Sequence, residues 1–319
     1  MAKNPPNRRG PARGPAAPNR RPAPPGRGRP AGLFTWIAIG LVVVVVATLV
    51  IVKVTTGSSS PSSQAFSPVD ATTLHELTSV PASVFNTIGV TSTVAAVTPP
   101  VVLANQKLLT AKSSTGATLP EILYVGANYC PFCAAERWAS IIALSRFGTW
   151  SNLGNMESST HSGEIYPGTP TFTFEKAKLS SPYLTFAEVE EYTNQFSSSL
   201  GFYTTLQKPT TAEQRIFAKY DTSHYIPGFT SQQDGSIPFY SFGNQVLIAG
   251  ASYTPALLAN QSRTQIAAGL STTSSPITAA IITTANYITA ATCVMTKNKP
   301  GSVCDSKGVM AAKKVMKVK

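Results

Sequence analysis

Two cysteines lie where an apolar run hands over to a helix-forming run. Glu121–Phe147 reads EILYVGANYCPFCAAERWASIIALSRF. Its first half, with Ile122, Leu123, Tyr124 and Val125 in a row, has the length and composition of a buried strand. Its second half carries Ala134, Ala135, Trp138, Ile141, Ile142 and Leu144 without Gly or Pro, which predicts a helix with a broad buried face. Cys130-Pro131-Phe132-Cys133 falls between the two. The first N–H groups of a helix lack partners and its dipole is positive there, so a thiolate at Cys130 is stabilised and its pKa falls below that of a free thiol. Pro131 costs nothing at an early helical position, where its N–H would be unpaired anyway. Cys133 lies on the same helical face. Thiol–disulfide exchange follows from this arrangement, with Cys130 attacking and Cys133 resolving.

Two plainer readings compete. A C-x-x-C can be half a zinc site, but the other two cysteines, Cys293 and Cys304, do not form a second close pair. It can also be a purely structural disulfide. Redox chemistry is favoured because strand–CxxC–helix is the context that chemistry requires. His161 and His224 fall in polar, loop-like stretches where a Cys–His nucleophilic pair would need a third orienting group, and none is evident. His75 beside Glu76 reads as a surface histidine.

The elements around the motif can be read in order. Ala71–Val80 predicts a short helix interrupted by Pro81. Val101–Thr110 reads as a strand, and Lys112–Thr118 as a turn into the central strand. The long segment 148–230 reads as a partly helical insertion. Within it, Thr171–Phe174 alternates like a strand. Thr185-Phe186-Ala187-Glu188 and Thr210-Thr211-Ala212-Glu213 match the capping box and predict helices running to about Ser198 and Tyr220. Ile237–Phe242 and Gln245–Ile248 around Gly243-Asn244 predict a β-hairpin opened by Pro238. Thr254-Pro255 predicts a helix ending at Gly269. Ser275-Pro276 starts another, with Ile277, Ala280, Ile281, Ala285, Ile288, Thr292 and Met295 on one face. A second membrane span is the rival for that last stretch, opposed by its threonines and Asn286.

The net charge of +12 belongs to the ends. Residues 1–32 hold Lys3, seven arginines, nine prolines and no acid, and the last fifteen residues hold five lysines against Asp305. Between Val54 and Cys304 there are twelve basic and thirteen acidic side chains, so no nucleic-acid-binding surface is implied there. The first tail cannot bury a core and is expected to be disordered. Leu33–Val52 is a charge-free stretch long enough to cross a bilayer. Arginines before it, with Lys53 alone just after, predict a cytoplasmic N-terminus and an extracytoplasmic remainder. The expected organisation is therefore a cytoplasmic tail over 1–32, a transmembrane helix over 33–53 and a flexible linker over 54–68. An extracytoplasmic domain over 69–305 and a disordered basic tail over 306–319 complete it. In that compartment Cys293 and Cys304, flanking the turn Asn298-Lys299-Pro300-Gly301, are expected to form a structural disulfide.

Strand–CxxC–helix, then an X-Pro opening a β-hairpin, then a final helix, resembles the thioredoxin fold. The resemblance implies an α/β domain in which Pro238 is the cis-proline beside the CxxC. Ile237 would then offer backbone hydrogen bonds to a client peptide. The distance from Cys133 to Pro238 implies a large insertion, as in disulfide oxidases. The layout is also similar to the thioredoxin-like family catalogued as domain of unknown function 929, with a membrane anchor, CPFC followed by Ala134-Ala135-Glu136-Arg137-Trp138, and a distal cysteine pair. That similarity spans about residues 65–305. The sequence departs from the wider family at one position. Where thioredoxin and the oxidases carry a buried acid, six residues before the first cysteine, this chain has Tyr124; Glu121 and Glu136 are nearby acids.

These readings define an expected membrane-anchored, extracytoplasmic thiol–disulfide oxidoreductase. Cys130 and Cys133 would be catalytic; Ile237, Pro238 and Phe132 would contact protein clients. No metal or other cofactor is expected, and a redox partner protein is possible. A non-catalytic envelope-binding module with a structural CPFC disulfide is the alternative. A soft-metal carrier using the two thiolates is a third reading, unsupported by any methionine cluster.

Overall fold

The computed structural model describes residues 66–90 and 96–319. The basic segment 1–32, the apolar span Leu33–Val52 and nearly all of the expected linker lie outside the described residues. Two short helices come first, α1 (Ala71–Thr78) and α2 (Ala82–Ile88), separated at Pro81 as the sequence predicts. Asp70 caps α1 by accepting the Thr73 N–H at 2.9 Å. In place of one strand over Val101–Thr110 there are two short ones, β1 (Val101–Val102) and β2 (Thr110–Lys112). Asn105, at φ 57°, lies between them and breaks the extended run.

The apolar run becomes β3 (Thr118–Gly126), followed by α3 (Pro131–Leu144) with Cys130 as its N-cap. The insertion then carries β4 (Thr149–Ser151), β5 (Gly154–Glu157), β6 (Pro170–Thr173), β7 (Lys178–Ser180), β8 (Thr185–Glu190), β9 (Tyr192–Ser197), β10 (Phe202–Thr205) and α4 (Thr211–Tyr220). The helix expected from Thr185 is therefore two strands. Thr185–Glu190 pairs in parallel with Glu121–Gly126, and that long-range ladder overrides a four-residue capping pattern. The Thr210–Glu213 capping box is present and starts α4, so the insertion is chiefly strand.

The hairpin β11 (Phe239–Phe242) and β12 (Val246–Ala249) turns through Gly243 and Asn244, both at positive φ, as a tight reversal between strands requires. The single helix expected from Thr254 to Gly269 is a 3₁₀ turn (Pro255–Leu258) followed by α5 (Arg263–Gly269), which has its own Ser262–Gln265 capping box. Asn260, at φ 61°, ends the first piece. The chain closes with α6 (Pro276–Met295), α7 (Gly301–Cys304) and α8 (Lys307–Met316). The lysine-rich tail expected to be disordered is thus a helix over most of its length. Its lysines dominate the composition, but Val309, Ala312 and Met316 join the core beside α2 and α6.

The main sheet has six strands. β1, β12, β11 and β3 run side by side, and β2 and β8 pair with successive parts of β3. β8 is parallel to β3; the other pairings are antiparallel. Alternation along the strands sorts side chains to opposite faces. Ile122, Tyr124, Tyr240 and Phe242 pack with α3 and α6, while Leu123, Val125, Phe239 and Leu247 pack with Phe217 and Tyr220 of α4. Helices therefore cover both faces of the sheet.

α6 is long and apolar enough to cross a membrane, but it is a core helix, buried on nearly all sides within the protein. Its threonines are compatible with that position because Thr284, Thr289 and Thr292 return their hydroxyls to the carbonyls four residues back, at 2.9, 2.7 and 2.9 Å. Asn286 donates to the carbonyls of Phe85 and Gly89, locking α2 onto it.

Candidate functional site

Helix α3 is held on every side. Among Pro131–Leu144, Phe132 alone is exposed. The Ala-Ala-Glu-Arg-Trp run supplies the anchors. The Ala134 carbonyl accepts from Thr171 Oγ1 at 2.8 Å, and the Ala135 carbonyl accepts from the Tyr253 hydroxyl at 2.6 Å. Trp138 Nε1 donates to the Pro170 carbonyl at 2.9 Å. Glu136 accepts from both Ser252 N and Ser252 Oγ, at 2.8 and 3.0 Å. Burial pushes the Glu136 carboxyl up to about 7, against the pull of those two bonds.

Both motif cysteines are free thiols, and Cys133 is fully buried. Cys130, 4 % exposed, lies on the floor of a groove of about 720 Å³. Its sulfur accepts the Cys133 N–H at 3.3 Å and is 3.8 Å from the Ile237 carbonyl oxygen. Burial raises the Cys130 thiol, but the hydrogen bonds from Cys133 and the nearby Arg137 charge outweigh it and hold the thiol below its ordinary value. Burial drives the Cys133 thiol well above its ordinary value, and the bond to Cys130 adds to the shift. Two adjacent sulfurs thus differ in proton affinity, because one sits at the amide end of a helix and the other beneath it.

The ion pair behind the thiols escaped the sequence reading, which named Arg137 only within the Ala-Ala-Glu-Arg-Trp run. Arg137 and Glu190 form a fully buried, two-bond ion pair, with Arg137 Nε to Glu190 Oε1 at 3.0 Å and Nη2 to Oε2 at 2.6 Å. Nη2 also donates to the Ala127 carbonyl at 2.8 Å, and Phe174 N donates to Glu190 at 3.1 Å. The Tyr124 hydroxyl reaches the same carboxylate at 3.4 Å. Gly126 makes this possible, because a Cβ there would collide with the Tyr124 ring and hydroxyl. A buried carboxylate from β8 therefore lies at the far end of the Tyr124 side chain. A usable signal was Arg137 itself, a basic residue four positions after Cys133, where i and i+4 share a helix face. Of the two acids considered in sequence, Glu136 is buried against Ser252 and Glu121 bonds to Thr185.

Cys130, Phe132 and Ile237 line one groove together with Tyr129, Ile165, Phe229 and the 249–251 segment. The Ile237–Pro238 bond is cis, and the Pro238 carbonyl accepts the Gly250 N–H at 2.8 Å; Pro238 itself does not line the groove. Phe132 meets Tyr166 edge-on, and Tyr129 stacks on Tyr203 of β10 at 4.1 Å. His161 stacks on Phe196 and His224 lies against Tyr225; neither lines the groove. Cys293 and Cys304 form a disulfide elsewhere, linking the end of α6 to α7.

Fold and site together define a mixed α/β protein whose central strand delivers a C-x-x-C to a helix N-terminus. Residues 107–294 match the family described as Domain of unknown function (DUF929), and the chain belongs to that family. No curated protein and no solved structure matches it.

Proposed function

We propose that this protein is a thioredoxin-like thiol–disulfide oxidoreductase, held at the membrane by Leu33–Val52 with its folded domain outside the cytoplasm. The observation that carries the reading is the pair of free thiols at the N-terminus of α3, with the Cys133 N–H donating to Cys130 Sγ and Cys130 lining an open groove. The sheet order β8, β3, β11, β12, the parallel β3–β8 pair and the helices on both faces support the thioredoxin-like part of it. The membrane part rests on the sequence, from the arginines before an uncharged twenty-residue stretch.

The Cys130 thiolate attacks one sulfur of a client disulfide, forming a Cys130–client mixed disulfide and releasing the other client sulfur as a thiolate. Cys133 then loses its proton and attacks Cys130 Sγ. This releases the second client sulfur and leaves Cys130–Cys133 oxidised by two electrons, the client being reduced by two. Run in reverse, the same steps oxidise a client dithiol. Phe132 and the Ile237 backbone form the client-facing wall.

A non-catalytic module that binds a partner in the envelope is the second reading, favoured by the burial of Cys130. Titration of the purified chain across glutathione buffers separates the two. An oxidoreductase has a Cys130–Cys133 potential between about −120 and −270 mV, whose value sets the direction, and Cys133→Ser traps mixed disulfides through Cys130. A pair that resists reduction below about −300 mV, with nothing trapped, replaces the enzyme by the module.

A further inference from the structure

The loop 158–169, between β5 and β6, forms part of the rim of the Cys130 groove and supplies Glu164 and Ile165 to it. Its base is tied to the motif. The Ser159 N–H donates to the Tyr129 carbonyl at 2.9 Å, and the Gly168 N–H donates to the Ser159 carbonyl at 3.0 Å. Gly163 and Gly168, at φ 104° and 63°, turn the chain on either side of the tip. The tip presents Glu164, Ile165 and Tyr166. Ile165 is 72 % exposed, and Tyr166 meets Phe132 of the motif edge-on.

Among the described residues lining the groove, Glu164 is the only carboxylate, and none is a lysine, arginine or histidine. The large apolar members of the wall are Tyr129, Phe132, Phe229 and Ile237 beside Ile165. Glu164 is half-buried and fixed. Its Oε1 accepts from the Tyr203 hydroxyl, and its N–H donates to the His161 carbonyl at 3.2 Å. Tyr203 in turn stacks on Tyr129, the residue before Cys130. Among the described residues no cation pairs with Glu164. A carboxylate has about four acceptor positions, so one phenol leaves it able to take a cation as well.

From this one fixed carboxylate on an otherwise uncharged, largely apolar wall, we infer that Glu164 selects the client: the groove takes a cysteine flanked by lysine or arginine and by apolar side chains. The inference rests on the oxidoreductase reading and names the substrate class of that site. The Glu164 carboxylate and the attacking Cys130 thiolate share a groove lined by no cation, so a basic segment is drawn in and an acidic one is repelled. The client's apolar side chains bury against Phe132, Ile165 and Phe229. The exchange steps themselves are unchanged.

The test uses the reduced full-length chain and two peptides, identical except for lysine or glutamate on both sides of a single cysteine. Each cysteine is supplied as a mixed disulfide with thionitrobenzoate. Cys130 attacks the peptide sulfur and releases coloured thionitrobenzoate, the better leaving group; Cys133 then displaces the peptide as a thiol. At low salt the lysine peptide is expected to react about tenfold faster than the glutamate peptide. Glu164→Gln, which keeps an acceptor for the Tyr203 hydroxyl, should cut that ratio to about threefold or less, the remainder coming from the thiolate charge. The ratio of the two rates cancels any change in thiol reactivity. Raising the salt to about 0.5 M should shrink the wild-type ratio in the same way. Equal rates for the two peptides in the wild type, or an undiminished ratio in Glu164→Gln, overturn the selection and leave the exchange chemistry standing. No release from either peptide overturns the oxidoreductase reading, and the client class with it.

Discussion

The chain holds two cysteine pairs, placed at opposite kinds of helix end. Cys130 and Cys133 open α3, where unpaired N–H groups converge and one amide already points at a sulfur at 3.3 Å. Cys293 is in the last turn of α6, fully buried, and is bonded to Cys304 across a separation of 11 residues. Amide dipoles at the first end stabilise a negative sulfur; carbonyls at the second end disfavour one. The first pair lines a groove, and the second is buried in the core that also holds Val309, Ala312 and Met316 of α8. The comparison teaches that cysteine spacing alone does not assign chemistry. The helix end and the groove beside Cys130 are what distinguish the two pairs.

The largest expected effect breaks the comparison directly. Cys130→Ser abolishes disulfide exchange with a model peptide, while the double replacement Cys293→Ser/Cys304→Ser leaves the exchange rate of the surviving folded protein unchanged. Loss of exchange in the double variant would mean that the two pairs work as one relay.

Next in size is the support behind the first pair. Glu190→Gln or Arg137→Met leaves one buried charge without its partner, and each is expected to cost about 3–5 kcal/mol in denaturant unfolding. Either variant should also move the alkylation pH profile of the thiols, since both charges act on Cys133. The Cys293→Ser/Cys304→Ser variant is expected to lose about 3 kcal/mol, the loop entropy of an 11-residue separation. A much smaller loss would mean that α8 and its packing hold that end of the chain.

The smallest effect concerns Glu136, which ties the motif helix to Ser252 beside the groove wall. Its folded-state pKa of about 7 lies above the ordinary carboxyl value. The folded chain therefore keeps a proton that the unfolded chain releases, and this contribution to stability, full below about pH 4.5, is lost as pH rises through 7. Glu136→Gln keeps the side chain neutral and should flatten the fall in Tm between pH 5 and 7. Asp221 and Glu188, shifted upward in the same sense, leave a residual slope. An unchanged slope would remove Glu136 as a titrating group.

Local chemistry was legible in the residues themselves. The β3–α3 hand-over, the Thr210 capping box, the Gly243-Asn244 hairpin and the Ser275-Pro276 helix start depend on propensities and caps within a few residues, so the chain alone specifies them. Segments whose fate depends on distant partners were not legible. Thr185–Glu190 is a strand because β3 offers its edge; the same residues carry a helix-start pattern. Lys307–Met316 is ordered because α2 and α6 bury its apolar side. The site divides in the same way. Cys130, Cys133, Phe132 and Ile237 stand out by type and position in the sequence. The ion pair of Arg137 with Glu190, 53 residues away, and the close approach over Gly126 that brings Tyr124 to it exist only once β8 lies beside β3. Sequence by itself determined the C-x-x-C and the helix end that holds it, because caps and dipoles act over one turn. Tertiary structure alone decided which charges stand behind the thiols, because a buried carboxylate is placed by strand pairing and packing that no short window of sequence contains.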